Sequence, residues 1–128
     1  MFLLIIFAII LADQGTKILL FEQAVLNSGI AFGAFNSKPA LILGLIGAGI
    51  LGVMVLQITH RDQNKTSRLG YSFILAGLMS NLVDRVRVGA VIDPFTLGDW
   101  LPFFNLADLA ILTGLGILTL IHFRKRSV

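Results

Sequence analysis

The sequence predicts an all-α integral membrane protein with four transmembrane helices. Hydrophobic residues make up 56% of its 128 positions and charged residues only 13%, against about 25% charged in soluble domains. The mean hydropathy is +0.90. A transmembrane helix needs about 20 apolar residues, so four would occupy about 80 positions and leave short connectors. This composition argues against a disordered or water-soluble chain, and we expect a single transmembrane domain over residues 1–128.

The expected spans are separated by short connectors and cover about residues 2–21, 40–59, 69–85 and 103–123. Polar residues between Asp13 and Lys17 interrupt the first span, which differs from a signal peptide because it lacks a basic start and a small-residue cleavage site. The second span is the most uniformly apolar. Within it Gly44, Ala48 and Gly52 recur every fourth residue, a spacing typical of close helix packing, although glycine is also frequent in membrane helices generally.

Basic residues predict the orientation of the spans. With four spans both termini lie on one side of the membrane, and placing that side in the cytoplasm puts six of the ten basic residues inside, in line with the positive-inside rule. The six are Arg61, Lys65, Arg68, Arg124, Lys125 and Arg126. We therefore expect both termini inside and short extracytoplasmic loops, and we interpret the net charge of +3 as a topology signal and not as nucleic-acid binding.

Most of the acidic residues collect near the outer half of the membrane in this topology. They are Asp13, Glu22, Asp84, Asp93, Asp99 and Asp108. Carboxylates in or near hydrocarbon are costly unless they are paired or hydrated, so they are candidate functional groups. Glu22 is typical of a surface charge, and Asp99, which follows Gly98, is typical of a solvated turn.

Two of the acids are interpreted as members of structural ion pairs. Asp13 and Lys17 are four residues apart, so they share one helix face in the order that favours an ion pair. Asp84 stands beside Arg85, which suggests a pair at a helix end. Both pairs are expected to stabilise the helix bundle.

Asp108 calls for a different interpretation. It lies inside the expected fourth span with no lysine or arginine within one turn, so it needs a partner or a proton. Asp93, in the loop before that span, is the expected partner. Asn81 and Asn105 each stand three residues before an aspartate, which predicts an amide and a carboxylate on one helix face.

The residue types restrict the chemistry further. The chain has no cysteine, and His60 and His122 fall on the cytoplasmic side, so a Ser–His–Asp arrangement lacks its histidine. A dyad of Ser28 with Lys17 is disfavoured because Asp13 already accounts for the lysine. No metal-ligand spacing appears, and we expect neither metal nor cofactor. Two carboxylates that share a proton remain, which is aspartic peptidase chemistry.

Four segments lie in order along most of the chain: DQGTK at 13–17, NSGIAFG at 27–33, NLVDR at 81–85 followed by Gly89, Val91 and Asp93, and FNLAD at 104–108. Each resembles a motif of the lipoprotein signal peptidase family, the bacterial type II signal peptidases. One such match would be weak, but four in order are specific.

The resemblance implies a membrane-embedded aspartic endopeptidase whose catalytic residues are Asp93 and Asp108. Side chains that orient these aspartates or bind the substrate backbone are implied at Asn27, Asn81, Arg85 and Asn105. The implied substrate is a prolipoprotein whose lipobox cysteine carries diacylglycerol. Water would cut before that cysteine by general acid–base catalysis, without a metal or a covalent intermediate.

The resemblance also implies a location and partners. The protein would lie in the bacterial cytoplasmic (inner) membrane with its site toward the outer face. Membrane lipid and a globomycin-type inhibitor are the further implied partners, and we expect a monomer.

The chain departs from the family pattern in four places. Only nine residues separate Lys17 from Asn27, where relatives carry a longer segment that forms a small sheet, so we expect a small or reduced β element. The stretch between the two candidate catalytic aspartates is also short. Ser80 stands where the family usually has glycine, and Pro94 intervenes before Phe95.

Two other functions are compatible with parts of the sequence. A four-span proton- or cation-coupled transporter would use intramembrane acids, but it would need a path to both sides, whereas here the acids crowd toward one face. A non-catalytic relative of the peptidase would fit the shortened loops, although both candidate catalytic aspartates are present.

Overall fold

The computed structural model describes residues 1–29, 38–59 and 64–126 of the chain. In order, the elements are α1 (Phe2–Leu19), a single 3₁₀ turn (Phe21–Gln23), β1 (Val25–Asn27), α2 (Pro39–Thr59), α3 (Lys65–Val88), β2 (Val91–Asp93) and α4 (Leu106–Arg126). The expected helical fold with a small β element is confirmed. His60, Arg61 and positions 30–33 of the second motif lie outside the described residues, as do the side chains of Lys125 and Arg126.

Three of the four long helices are apolar enough to cross a membrane. These candidate spans are Phe2–Leu19, Pro39–Thr59 and Leu106–Arg124. The remaining helix, α3, is less apolar because it carries several polar side chains, among which Ser72, Ser80 and Asp84 are fully buried. It contacts α1, α2 and α4. Its polar residues therefore face neighbouring helices.

Contacts at the two ends of α3 define how the helices run. Near its start, the Arg68 guanidinium lies over the Phe2 ring of α1, 4.6 Å from the ring centroid. Near its end, Asp84 pairs with Lys17 close to the end of α1. The two helices are therefore parallel, and the site described below lies where both of them end.

Helix α3 extends beyond the expected span at both ends. Asn64 caps its start by accepting a hydrogen bond from the Ser67 backbone N–H at 2.8 Å, as N-cap asparagines commonly do. Gly89 ends the helix with a φ of 78°, a left-handed conformation that glycine adopts without strain. This turn redirects the chain into β2.

The closest helix packing is between α3 and α4. A Cβ added to Gly77 would lie 2.4 Å from the Ala107 carbonyl oxygen, and one added to Gly114 would lie 2.5 Å from the Gly70 carbonyl oxygen. Glycine at these positions lets the two backbones touch. Because Ala107 is one residue from Asp108, this contact also sets how close the start of α4 lies to α3.

The small residues of α2 do not make such a contact, so the interpretation of Gly44, Ala48 and Gly52 as a close-packing stripe is wrong. All three are exposed, and a Cβ at either glycine would have nothing within 4 Å. Helix α2 packs instead through the face that carries buried Ile42 and Gly49. These two are seven residues apart and therefore share a face that the small residues do not occupy.

The two strands form a short antiparallel sheet. Val25 pairs with Asp93, Leu26 with Ile92 and Asn27 with Val91. The connection between α1 and β1 is short, but it is long enough for β1 to pair with β2, the segment that follows α3.

We expect Gly77→Ala to destabilise the protein by about 1–3 kcal/mol, since the new methyl group would overlap the Ala107 carbonyl and force α3 and α4 apart. Thermal unfolding in detergent measures the effect. Gly44→Ala is the matched control: it adds the same methyl group in open space and should leave the unfolding temperature unchanged or slightly higher. Equal unfolding temperatures for the two variants would contradict this account of the α3–α4 contact.

Candidate active site

A buried cluster of three charges lies where α1 and α3 end. The Lys17 Nζ is 2.6 Å from Asp13 Oδ2 and 2.6 Å from Asp84 Oδ2, and all three side chains are at most 1% exposed. Asp84 therefore pairs with Lys17, and the interpretation that pairs it with Arg85 is wrong. Successive helix residues point about 100° apart, so Asp84 faces α1 while Arg85 points toward the chain after β1.

Two side chains that the sequence interpretation did not assign to the site complete this cluster. Ser80 Oγ donates to Asp13 Oδ2 at 2.7 Å. Gln14 Nε2 donates to Asp84 Oδ1 at 2.8 Å and to Ser80 Oγ at 3.0 Å. Ser80 stands four residues before Asp84, and that helical spacing is the signal that could have placed it on the same face.

Backbone groups from two other elements also bind the cluster. The Ala107 N–H in the first turn of α4 donates to Asp13 Oδ1 at 2.9 Å. The Ile92 N–H of β2 donates to Asp84 Oδ2 at 3.2 Å. The cluster therefore ties α1 and α3 to the two segments that carry the candidate catalytic aspartates.

Asp108 is the third residue of α4. The expected span, which begins at about residue 103, would have placed it further inside the helix. The helix begins at Leu106, later than expected, because Phe95 and Phe104 exchange backbone hydrogen bonds of 3.0 and 2.8 Å that hold the preceding chain extended. Asn105 Oδ1 accepts from the Asp108 N–H at 2.9 Å, and Asp108 Oδ2 accepts from the Asn105 N–H at 3.3 Å. This reciprocal arrangement is a capping box, so Asn105 precedes the helix and caps it.

Asp93 is the last residue of β2 and is 2% exposed. Asn105 Nδ2 donates to its Oδ1 at 2.6 Å, and Asn27 Nδ2 donates to its Oδ2 at 3.3 Å. Asn105 therefore binds both Asp93 and Asp108, and the structure brings these two expected residues together.

Asn81 connects the buried cluster with Asp108. Its Oδ1 accepts from Lys17 Nζ at 3.1 Å, and its Nδ2 donates to Asp108 Oδ1 at 3.0 Å. It projects from α3 toward both groups.

Arg85 lies beside the two aspartates without forming a fork with either. Its guanidinium donates to the carbonyl oxygens of Ser28, at 3.3 Å, and Gly29, and its charge interacts with Asp93 and Asp108. Its Nε is buried and has no hydrogen-bond partner among the described residues. Arg85 thus holds the chain after β1 next to the aspartates and keeps one donor unused there.

The pKa of Asp93 is raised to about 6, mainly by burial and to a smaller extent by the charge of Asp108. The hydrogen bonds from Asn105 and Asn27 and the charge of Lys17 act in the opposite direction. A carboxyl group with this pKa exchanges its proton near neutral pH, which suits general acid–base catalysis.

Other candidate groups do not join the site. Glu22 and Asp99 are exposed, and His122 lies near the far end of α4, where its ring stacks edge-on against Phe123. Within the described ranges, no three histidine, cysteine or carboxylate side chains are grouped so that they could hold a metal ion.

Comparison with known proteins identifies similar chains. The family model described as signal peptidase (SPase) II matches residues 5–124. A lipoprotein signal peptidase of Pelotomaculum thermopropionicum is 33% identical over 132 aligned residues, covering 89% of this chain and 86% of the relative.

Two further relatives carry the same name but are matched over less of their length. The lipoprotein signal peptidase of Brevibacillus brevis is 34% identical over 96 residues, and the match covers 73% of this chain and 64% of the relative. That of Anaplasma phagocytophilum is 38% identical over 108 residues, covering 79% of this chain and 67% of the relative. The match thus spans less than two thirds of the Brevibacillus protein.

Two solved structures described as bacterial membrane enzymes share the fold. One superimposes with a TM-score of 0.88 over 98% of this chain and 89% of the other, at 22% identity. The second gives a TM-score of 0.81 over 94% and 90% of the two chains, also at 22% identity.

We expect the stability of the protein to fall between about pH 4 and pH 6 through Asp93, by up to about 3 kcal/mol. The folded protein, with a pKa of about 6, holds this proton more tightly than the unfolded chain, with 3.8. The stabilisation is therefore complete below the unfolded value and lost as the pH rises through the folded one.

Asp93→Asn isolates this contribution because asparagine does not titrate. The unfolding temperature of the variant minus that of the native protein, measured in detergent, should be higher at about pH 7.5 than at about pH 4.5. Titrating groups that do not interact with Asp93 cancel in this difference. A difference that does not change with pH would show that Asp93 has an ordinary pKa.

Proposed function

Because the chain belongs to the signal peptidase II family, we propose that it is a lipoprotein signal peptidase that works as a membrane-embedded aspartic endopeptidase. Its proposed substrate is a prolipoprotein whose lipobox cysteine already carries diacylglycerol. The cut falls just before that cysteine. A globomycin-type inhibitor should block the reaction.

One observation supports the proposed mechanism: Asn105 binds both aspartates. It donates to Asp93 through its side-chain amide, and it exchanges two hydrogen bonds with Asp108 in the capping box. The two carboxyl groups also interact electrostatically, since the charge of Asp108 raises the pKa of Asp93. Two carboxyl groups held close together cannot both ionise easily, so they share a proton. That is the arrangement an aspartic peptidase requires.

In the proposed reaction the ionised carboxylate takes a proton from water, and the resulting hydroxide attacks the scissile carbonyl carbon. The protonated carboxyl group gives its proton to the carbonyl oxygen, forming a neutral tetrahedral intermediate. The intermediate collapses when the C–N bond breaks: the newly protonated carboxyl group gives its proton to the leaving nitrogen, and the ionised one takes a proton from one of the two hydroxyl groups on the carbon. The products are the free signal peptide and the lipid-bearing amine, and both carboxyl groups return to their starting states.

Asn27, Asn81, Arg85 and Asn105 are the proposed orienting or substrate-binding residues. Asn27, Asn81 and Asn105 each donate an amide hydrogen bond to a candidate catalytic carboxylate. Arg85 differs, because its guanidinium donates to the backbone carbonyls of Ser28 and Gly29 and not to either candidate catalytic carboxylate. We therefore assign substrate-backbone binding to Arg85 and orientation of the carboxylates to the three asparagines.

The proposal includes α3 as the fourth transmembrane span. Its 24 residues reach about 36 Å at 1.5 Å per residue, more than the roughly 30 Å of the hydrocarbon core. The helix needs less apolar surface than the others because α1, α2 and α4 surround it. With the termini inside, Lys65 and Arg68 at its start and Arg124 at the end of α4 face the cytoplasm of the bacterial cell, and the site faces outward across the inner membrane.

Asp93→Asn and Asp108→Asn should each reduce cleavage of a diacylglyceryl-modified prolipoprotein by about 100-fold or more, because each removes one partner of the acid–base pair. Purified protein in detergent or liposomes and a gel shift of the substrate measure the effect. Asp99→Asn is the matched control, since it makes the same change at an exposed aspartate.

Undiminished cleavage by a folded Asp93→Asn or Asp108→Asn protein would rule out the proposed mechanism. Failure of the native protein to cut the substrate would instead favour a non-catalytic relative of the peptidase.

Single cysteines should report the topology cleanly, because the chain has no cysteine of its own. Asp99→Cys, after β2, should react with a membrane-impermeant maleimide in intact cells. Thr66→Cys, in the first turn of α3, should react only after the inner membrane is permeabilised. Both positions are exposed, so labelling of both from the same side would disprove α3 as a span.

A further inference from the structure

We propose that Lys17 is a positioning residue for Asp108 and acts through the side-chain amide of Asn81. This inference rests on the proposed function, because it assigns Lys17 a role in the geometry of the reaction beyond its ion pairs. It connects the buried charge cluster with one of the two carboxylates that perform the chemistry.

The first step concerns the hydrogen-bonding capacity of the lysine. An ammonium group has three N–H donors and no acceptor. Two donors are directed at Asp13 and Asp84, each at 2.6 Å, and the third at Asn81 Oδ1 at 3.1 Å. The first two contacts would suffice for a structural ion pair, whereas the third leads out of the cluster toward Asp108.

The second step concerns the orientation of the Asn81 amide. Turned by 180°, the amide would present its NH₂ group to the Lys17 ammonium and its oxygen to Asp108, setting donor against donor and acceptor against acceptor. Lys17 excludes that orientation because it cannot accept a hydrogen bond. The Nδ2 must therefore donate to Asp108 Oδ1, as it does at 3.0 Å.

The amide of Asn105 is oriented toward Asp93 in the same way, by a backbone N–H in place of the lysine. The Asp108 N–H donates to Asn105 Oδ1 at 2.9 Å, so the Asn105 Nδ2 is directed at Asp93, 2.6 Å away. Each candidate catalytic carboxylate thus accepts a hydrogen bond from an asparagine amide. In each case a second group, which can only donate hydrogen bonds, fixes the orientation of that amide. A lysine 1% exposed holds its charge in place for this purpose without competition from water.

The experiment removes the ammonium group without changing the net charge of the cluster. Asp13, Lys17 and Asp84 together carry a charge of −1, and so does the cluster with Lys17→Gln and Asp84→Asn combined. The Lys17→Gln/Asp84→Asn protein is therefore compared with two references: the native protein, whose cluster carries the same charge, and its parent, Asp84→Asn, which gives the effect of that substitution alone. We expect kcat for prolipoprotein cleavage to fall roughly 10- to 100-fold, the worth of one hydrogen bond to a charged group, while KM stays close to that of the parent.

A double-mutant cycle in the same background tests whether the effect passes through Asn81. Asn81→Leu removes the amide at similar volume and should itself lower kcat. Adding Lys17→Gln to Asn81→Leu should then cause no further loss, because the positioning path is already broken. Losses that multiply, or a Lys17→Gln protein with the kcat of its parent, would overturn the proposal and leave Lys17 as a structural residue.

A second measurement needs no substitution at Lys17 and so does not depend on the folding of those variants. In protein labelled with ¹⁵N-asparagine, the side-chain amide signal of Asn81 is assigned by its loss in Asn81→Leu. Asp108→Asn should shift that signal, since Nδ2 donates to Asp108, and an unshifted signal would overturn the inference. Failure of the proposed function would appear separately, as cleavage that survives Asp108→Asn.

Discussion

Lys17 is buried between Asp13 and Asp84 at the end of the bundle, and the segments that carry Asp93 and Asp108 both depend on this cluster through backbone hydrogen bonds. Charges out of contact with water are costly, and removing one partner of a buried pair typically costs about 3–5 kcal/mol. Here the excess negative charge is balanced by donors from Gln14 and Ser80 and by two backbone N–H groups. Since those donors come from different segments, the requirement to satisfy the charges also sets the relative positions of the helices and of β2.

Two short features then turn this alignment into a site. The pairing of β1 with β2 brings Asn27 beside Asp93, and the capping box at the start of α4 directs Asn105 toward the same carboxylate. Neither feature is long, but both are attached to the buried cluster, β2 through the Ile92 N–H and α4 through the Ala107 N–H. The aspartates thus lie at the end of a strand and at the start of a helix, and both of these segments are held by the same cluster.

The sequence was informative wherever the physics is local. Apolar runs predicted the helices, and a four-residue spacing predicted the contact between Asp13 and Lys17. It was misleading where contacts join distant segments: Asp84 was assigned to its neighbour Arg85, although its partner lies on α1. The start of α4 was placed too early because the backbone pairing of Phe95 with Phe104 has no signature in hydropathy.

Ser80 shows a further limit of the sequence, in which it stands out only as a departure from a family pattern, although in the structure it donates to Asp13. The close approach was likewise expected on α2 and lies between α3 and α4. A glycine pattern shows that close contact is sterically allowed, and only the arrangement of the helices decides which glycines are used.

The spacing of Asp13 and Lys17 also bears on the order in which the protein is made. Helix α1 is synthesised first and carries one negative and one positive charge four residues apart, so it can enter the bilayer as an electrically neutral segment with no help from later helices. Asp84 emerges much later, and the only ion pair it makes among the described residues is with that lysine. Lys17 is therefore already present in the chain when the charged end of α3 is made, so the counterion of Asp84 is available as soon as the two helices pack together.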